Sequence, residues 1–346
     1  MRLPGFLLGA CALLVLGLAT SRAAPRTVGP DLSVILAEQP AETLAAYGLF
    51  TDAGAQTPAA GVTAYELASP LYSDGAIKQR YVFLPSGTRA RFRAEGAFEF
   101  PVGAVLIKTF AFPADGTSGA NRAIETRILI RKRGGWTAET YVWNAEGAAA
   151  RRQVAGSQVP VKVGERDILY AIPNRNQCKG CHVVSGDLAP IGPSAAHFEL
   201  ALENAPSALE RWRDGGLVDG VPPVARRVFT GTEDRARAYL DINCAHCHSP
   251  TGPANTSGLD LRAAQTDPAQ WGVRKRPIAA GRASGELAFA IDPGRPERSI
   301  LLHRMESTDP GVMMPELGRS TVDDEGVELV RKWIREMDAQ GRPRQK

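Results

Sequence analysis

The sequence predicts an α+β protein, with an antiparallel β-sandwich or barrel followed by a mostly α-helical region. Three observations predict this class. Short segments rich in β-branched and aromatic residues follow one another closely between residues 61 and 173, with Gly and Pro turns between them. From Asn174 onward the composition shifts toward Ala, Leu and Glu at helical spacing. Two short cysteine motifs fall in this second half.

The β-rich region contains four clear strand signals. They cover residues 79–84, 104–110, 125–130 and 136–143, separated by turns such as Pro85-Ser86-Gly87 and Gly134-Gly135. Strands spaced this closely, without helices between them, are typical of an antiparallel sheet. We therefore expect one β-rich domain over residues 61–173. Residues 24–60, rich in Ala, Pro and Gly around one short helical segment at 41–47, are expected to form an extended lead-in.

The first residues have the pattern of a secretory signal peptide. Arg2 precedes an apolar run over residues 3–19, and small residues around Ala23 provide a cleavage site, so we expect export to the periplasm and removal of residues 1–23. Two alternatives are an uncleaved membrane anchor and a lipoprotein modified at Cys11. The apolar run is short for a bilayer span and continues well past Cys11. We expect no transmembrane segment in the mature chain.

The charge balance argues against a nucleic-acid partner. The chain has 41 Lys and Arg against 37 Asp and Glu, a net charge of +4. Loss of Arg2 and Arg22 with the signal peptide leaves +2. Nucleic-acid binding proteins usually concentrate far more positive charge, so no such partner is expected.

The four cysteines that follow the signal peptide form two C-x-x-C-H motifs. The residues of these motifs are Cys178, Cys181 and His182, and Cys244, Cys247 and His248. Two thiols three positions apart can form thioethers with the two vinyl groups of one porphyrin, and the following His can then bind the iron. The sequence therefore predicts two covalently attached haem c groups, with His182 and His248 as iron ligands.

Other chemistries of paired cysteines explain less of the pattern. A disulfide framework suits an oxidising compartment but gives no reason for a His after each pair. A zinc site usually joins C-x-x-C pairs about 15–20 residues apart, whereas Cys181 and Cys244 are 63 positions apart. A shared zinc would therefore require long-range folding.

The second haem has a candidate sixth ligand in a Met-Pro loop. Met314 lies 66 residues after His248 and before a final helical segment. A thioether sulfur at this position would raise the reduction potential relative to two imidazoles, and Met313 is the second candidate. For the first haem the candidates are His197, His303 and Met305. A five-coordinate iron remains an alternative.

Helical signals surround the second motif. We expect helices over 195–213 and 233–243, the second leading into Cys244, and a closing helix with apolar residues at 327, 330, 334 and 337. Thr321 is predicted to cap the closing helix, with Asp324 at the third position. These signals divide the remaining chain into a first haem segment, 174–227, and a second unit, 228–346.

The chain resembles a family of bacterial exported dihaem c-type cytochromes. The resemblance runs through residues 69–78, 100–103, 107–110, 125–127, 176–178 and 191–193, and residues 244–337 separately resemble a class I cytochrome c domain. It implies haem binding and electron transfer and no particular substrate. The run 100–108 is also similar to one in cytochrome P460-type proteins, where a Lys is bonded to the haem. We favour the interpretation of Lys108 as an exposed strand lysine.

Three functions are compatible with these features. The first is an electron carrier that exchanges electrons with a periplasmic redox partner protein. The second is a haem enzyme, a peroxidase or small-molecule oxidase, that uses a five-coordinate first haem. In the third, the β-rich domain docks the cytochrome onto its partner. No catalytic residue is assigned.

Overall fold

A computed structural model describes residues 29–69, 71–114, 121–198, 207–223, 231–278 and 281–343. The predicted signal peptide and Cys11 lie outside these ranges. Within them the chain is a mixed α+β protein built around a large antiparallel sheet, which confirms the α+β class. The mostly α-helical second region is not confirmed, because short helices there are separated by longer irregular segments. No helix of the described ranges is both long and apolar enough to cross a bilayer.

The strands of the described chain are mostly concentrated before residue 173. They are β1 Phe50–Asp52, β2 Thr57–Pro58, β3 Val62–Tyr65, β4 Ile77–Phe83, β5 Ala90–Arg91, β6 Val105–Pro113, β7 Asn121–Lys132, β8 Gly135–Trp143, β9 Ala150–Arg152, β10 Ser157–Val163, β11 Arg166–Ile172, β12 Val183–Val184, β13 Asp187–Leu188 and β14 Val218–Asp219. All four strand predictions are confirmed, as β4, β6, β7 and β8.

The helices are short, apart from the last. They are α1 Leu32–Leu36, α2 Arg175–Cys181, α3 Ala195–Phe198, α4 Ala208–Asp214, α5 Thr232–Leu240, α6 Pro268–Trp271, α7 Ile300–Glu306 and α8 Asp324–Arg335. Four 3-10 turns add Leu44–Tyr47, Asn255–Ser257, Gly281–Ser284 and Pro296–Arg298, and a π turn covers Asp241–Ala245. Only the two ends of the helix predicted over 195–213 are described, as α3 and α4.

The main sheet has six strands in the order β3-β4-β6-β7-β8-β9, with antiparallel neighbours. Its edge strands β3 and β9 do not pair with each other, so the sheet is open and is not the closed barrel that was one of two expectations. The hairpin β10–β11 packs against β6 and forms part of a second layer.

One face of the sheet is covered by residues that we expected to form an extended lead-in. Ile35, Leu44, Tyr47 and Leu49 are almost fully buried there. The Tyr141 hydroxyl on β8 donates to the Ala41 carbonyl oxygen at 2.8 Å and accepts from the Tyr47 hydroxyl at 2.9 Å. The short helical segment expected at 41–47 is present as the turn Leu44–Tyr47. The described residues of this segment are nevertheless packed on the sheet and do not form an extended lead-in.

The opposite face has apolar clusters at its two ends. Val82 and Leu106 pack there with Trp212 of α4, and Phe110 and Phe112 pack with Tyr170 of β11. Polar and charged side chains of the central strands lie between these clusters. The first cysteine motif is placed over this central region.

The C-terminal residues form a separate core in which α5 crosses α8. Gly326 of α8 lies against the ring of Tyr239, and a Cβ atom added to Gly326 would be 2.4 Å from that ring. The Tyr239 hydroxyl also donates to Asp323 Oδ2 at 3.0 Å. The predicted apolar face of the closing helix is confirmed, because Val327, Val330 and Ile334 are buried here.

Gly326→Ala is expected to lower the free energy of unfolding by about 1–3 kcal/mol, because the new methyl group must displace a packed ring. This loss would occur although Ala is the better helix former. Urea unfolding measures the effect. Gly134→Ala is the control, since an added Cβ there meets no atom within 4 Å. Equal stability of the two variants would contradict the close crossing.

The loop before β4 joins the sheet to the segment that precedes α8. Asp74 accepts hydrogen bonds from the backbone N–H groups of Ser320 and Thr321, at 2.7 and 2.8 Å, and from both of their hydroxyl groups. Thr321 is thus engaged by Asp74. The helix cap is instead Asp323, which accepts from the Gly326 N–H at 3.0 Å. The prediction of Thr321 as the cap is therefore wrong.

Candidate functional site

The first cysteine motif lies at the end of α2, on the central part of the sheet. A capping box fixes the start of α2, since Asn174 accepts from the Gln177 N–H at 2.9 Å and Gln177 accepts from the Asn174 N–H at 2.8 Å. One helical turn later, Cys178 is half-buried and hydrogen-bonded to Thr140 of β8. Burial raises the pKa of the Cys178 thiol.

The imidazole of His182 is held through one nitrogen. Its Nδ1 atom lies 3.2 Å from the carbonyl oxygen of Ala189. A carbonyl oxygen can only accept, so Nδ1 carries the hydrogen and Nε2 keeps its lone pair. Burial, and next the charge of Lys108, lower the pKa of His182 to about 4. The ring is therefore neutral near pH 7, with Nε2 available as a ligand.

The second motif begins in the π turn that continues α5. The His248 N–H donates to the Cys244 carbonyl oxygen at 2.9 Å, which keeps the motif in one compact turn. His248 Nδ1 lies 2.9 Å from the Ser257 hydroxyl oxygen, and this hydroxyl donates to the Ala254 carbonyl oxygen at 2.7 Å. Because the hydroxyl hydrogen is already used, the Ser257 oxygen must accept from Nδ1.

His248 therefore has the same tautomer as His182. Burial lowers the pKa of His248 to about 4, with a smaller contribution from the charge of Arg304. In metalloproteins an outer hydrogen bond of this kind fixes the ring orientation and leaves the other nitrogen for the metal. Both motif histidines therefore donate through Nδ1, His182 to a backbone carbonyl oxygen and His248 to a serine hydroxyl oxygen.

The fold brings the two motifs into contact. Cys181 Sγ, Cys247 Sγ and a ring nitrogen of His246 all lie within 4.8 Å of one another. The hydrogen bond between the thiols of Cys181 and Cys247 lowers the pKa of Cys181 and raises the pKa of Cys247. Burial also raises the pKa of Cys244, to about 12. None of the four described cysteines is in a disulfide.

The Met-Pro loop lies beside both motifs. Met314 and Leu317 line a small cavity together with Tyr239 and Asn243 of the second motif's leading segment. The same Leu317 packs on the first motif, because a Cβ atom on Gly180 would be 2.9 Å from Leu317 Cδ1. The loop therefore reaches the region where the two cysteine motifs meet.

The side chain of Arg319 and the backbone of Arg304 hold this loop in place. Arg319 is 8% exposed and donates to the carbonyl oxygens of Met314 at 2.8 Å and Ser307 at 2.8 Å. The Met314 N–H donates to the carbonyl oxygen of Arg304 at 2.9 Å. Met313, the second candidate, is buried with 8% exposure. Of the two residues, Met314 is the one that lines the cavity.

The other sixth-ligand candidates have different surroundings. His197 is buried, and its Nε2 atom lies 3.4 Å from Asp241 Oδ2 at the start of the π turn. His303 packs its ring over Gly285. Met305 lines the same cavity as Met314, on the side of the second motif. The structure therefore places His197 Nε2 beside Asp241, leaves His197 Nδ1 buried without a hydrogen-bond partner among the described residues, and groups Met305 with the second motif.

Sequence reasoning missed several residues of this site. His246 occupies an x position of its motif, where its side chain is unconstrained by the pattern, and Ser257 and Ala189 carry no sequence signal as histidine partners. Lys108 is half-buried between arginines and is not the exposed strand lysine that we favoured. Each of these contacts depends on pairings that are distant in sequence.

The chain has no match among protein-family models, curated proteins or solved structures. The residues of the site itself are therefore what indicates its function. Each motif offers two half-buried thiols and an imidazole whose Nε2 is free for a metal. This donor set fits a c-type haem.

Proposed function

We propose that this chain is a dihaem c-type cytochrome that carries electrons for a periplasmic redox partner. The observation that carries the proposal is the direct contact between two C-x-x-C-H segments whose histidines have the same tautomer. A c-type haem supplies one-electron exchange between ferric and ferrous iron. The resemblance of residues 244–337 to a class I cytochrome c domain agrees with the crossing of α5 and α8 and with the Met-Pro loop beside it.

The roles of the residues follow from their placement. Cys178 and Cys181 would hold the first haem through thioethers, and Cys244 and Cys247 the second. His182 and His248 would each bind iron through Nε2, and Met314 would supply the sixth ligand of the second haem. The adjacent attachment points support a short path for electrons between the two haems.

Paired cysteine variants test the proposal. The exported wild-type protein is expected to take up two electrons per chain in a reductive titration. Cys178→Ala/Cys181→Ala and Cys244→Ala/Cys247→Ala are each expected to take up one. Low-temperature EPR of the ferric wild type should show two haem signals broadened by each other, and each paired variant should show one unbroadened signal. A wild type without a reducible chromophore would refute the proposal.

Ser257→Ala is expected to raise the reduction potential of one haem, by roughly a tenfold change in its reduction equilibrium. Without the serine oxygen, the Nδ1–H of His248 loses its acceptor, and the imidazole donates less electron density to ferric iron. Potentiometry with optical detection measures the shift. Ser284→Ala is the control, because this hydroxyl bonds only the nearby Gly281 carbonyl oxygen. Equal potentials would mean that Ser257 does not tune His248.

A second candidate function is favoured by the Cys181–His246–Cys247 group. Two thiols and an imidazole within 4.8 Å of one another are ligands that zinc and other borderline metals accept. The two assignments exclude each other, because a cysteine bonded to a vinyl carbon has no thiolate to offer. Elemental analysis of the exported protein separates them. Iron at two atoms per chain supports the cytochrome, and zinc without iron supports the metal–thiolate site.

The enzyme alternative depends on the sixth position of the first haem. His197 stays a candidate for this position, because its Nε2 atom lies 3.4 Å from Asp241 Oδ2 but its buried Nδ1 atom has no hydrogen-bond partner among the described residues. A high-spin ferric signal together with turnover of peroxide would support an enzyme. A purely low-spin spectrum without turnover would support an electron carrier.

A further inference from the structure

A row of basic side chains crosses the sheet beneath the first motif. Arg80 on β4 is the direct cross-strand partner of Lys108 on β6, and Lys108 is the direct partner of Arg127 on β7. Direct partners in an antiparallel sheet point to the same face. Like charges placed opposite each other in this way destabilise a sheet, so the row requires compensation. We call Arg80, Lys108 and Arg127 the basic row.

Carboxylates compensate only part of this charge. Glu125 is fully buried and binds Arg127 through both oxygens, at 2.9 and 2.5 Å, and Tyr170 donates to the same carboxylate at 2.6 Å. Lys78, on the same face as Arg80, donates to the Ala76 carbonyl oxygen at 2.9 Å. Four basic groups therefore face one carboxylate. Burial, and next the charge of Arg80, lower the pKa of Lys108 well below its ordinary value and that of Lys78 to about 7, so a bound anion would favour the charged forms of both lysines.

Other acidic groups near the row are engaged elsewhere or exposed. The negative charges of Asp74 and Asp323 raise the pKa of Lys78 without direct contact. Asp74 itself binds Ser320 and Thr321, and Asp323 caps α8. The negative charge of Glu66, which is exposed, raises the pKa of Arg80. Within the described ranges, no carboxylate is within ion-pair distance of Arg80 or Lys108.

Two side chains of the basic row have nitrogen atoms that can donate hydrogen bonds to a ligand. Arg80 Nη2 is buried and has no hydrogen-bond partner among the described residues. Lys108 has its Nζ atom 4.7 Å from the centre of the Phe110 ring, a contact that leaves its hydrogens available as donors. A guanidinium and an ammonium side by side can bind the oxygens of a carboxylate or a similar anion.

The row lies beside the attachment site of the first haem. The charges of Lys108 and Arg127 help to lower the pKa of His182. The charge of Arg127 also opposes the rise in the pKa of Cys178 that burial causes. Thr140, which bonds Cys178, is the direct cross-strand partner of Arg127 and continues the row onto β8. Whatever binds between Arg80 and Lys108 therefore lies next to the residues that would hold the first haem.

We infer that the basic row is an oxyanion-binding site at the first haem, an inference that rests on the proposed function. The anion has two possible sources with the same chemistry: the propionate carboxylates of the first haem, or a small oxyanion from solution. In either case Arg80 and Lys108 bind the negative oxygens, and Glu125 orients Arg127. Positive charge at this place also stabilises the reduced state of the first haem, because reduction adds an electron.

The test uses the exported holoprotein and the variant Arg80→Gln/Lys108→Met. The matched control is Arg151→Gln/Lys162→Met, which removes two exposed cations of the same domain. In the row variant the potential of one haem is expected to fall by at least a tenfold change in the reduction equilibrium, which is 59 mV for one electron. Lys108→Arg keeps the charge and should keep the wild-type potential. The mass of each sample gives its haem content, so failure of attachment is detected separately.

A second arm identifies the source of the anion. Nitrite, a small oxyanion, is titrated into the ferric protein at constant ionic strength. A saturable spectral change in the wild type and the control, absent from the row variant, assigns the site to an anion from solution. A fall in potential without any nitrite response assigns it to the propionates. The inference is overturned if the row variant matches the control both in its potentials and in its response to nitrite.

Discussion

Replacing Asp74 by alanine is expected to lower the free energy of unfolding by about 3–5 kcal/mol, one of the two largest effects we predict. Asp74 is 3% exposed and accepts from two backbone N–H groups and two hydroxyl groups of the segment before α8. Each buried donor that loses its acceptor costs about 1–3 kcal/mol, although the exposed Ser320 can turn to water. Asp74 also has a positive φ of 52°, which Ala tolerates less well than Asp.

Urea unfolding of Asp74→Ala, Asp74→Asn and Asp214→Ala measures this contribution. Asn tolerates the positive φ and keeps one acceptor oxygen, so its loss should be clearly smaller than that of Ala. Asp214 is exposed and pairs only with its neighbour Arg213, so its replacement should change little. If Asp74→Ala were as stable as Asp214→Ala, the link between the sheet and the segment before α8 would be disproved.

Met314→Ala is expected to have the largest effect on the spectrum. If Met314 binds the second iron, its loss removes the weak sulfur-to-iron absorption of the ferric protein in the far red. The potential of that haem should also fall by at least a tenfold change in the reduction equilibrium, because a thioether favours ferrous iron. Optical spectroscopy and potentiometry of the same samples measure both effects.

Met313→Ala is the matched control for this substitution. It removes a neighbouring buried Met that does not line the cavity, so the absorption should persist while stability falls by about 2–4 kcal/mol. A sulfur-to-iron absorption that persists in Met314→Ala would transfer the assignment to Met313, and a wild type without this absorption would favour His303. Loss of the band only in Met313→Ala would select Met313.

Local sequence patterns predicted the strands and the buried face of α8. These patterns arise because alternation and helical spacing mark a face that is buried wherever the element packs. The burial of residues 29–60 could not be predicted in this way, since their short turns contribute single large residues such as Tyr47 and Leu49. The prediction of Thr321 as the helix cap was wrong for another reason. Its hydroxyl donates to Asp74, which lies 247 positions away in the sequence.

The two cysteine motifs of the candidate site were predictable from the sequence, whereas the contacts around them were not. The C-x-x-C-H spacing predicts six residues that could hold haem, because that chemistry acts within one turn of chain. The contact of Cys181 with Cys247 and the alignment of Arg80 with Lys108 depend on tertiary packing and strand register. A shift of register by one residue would move the basic row to the other face of the sheet.

The central claim is that both cysteine pairs carry covalent haem, and intact mass of the denatured, exported protein tests it most directly. Denaturation releases every ligand that is held only by folding, whereas thioethers survive it. We expect a single species whose mass is that of the processed chain with two haems. A mass equal to the polypeptide alone would contradict the claim.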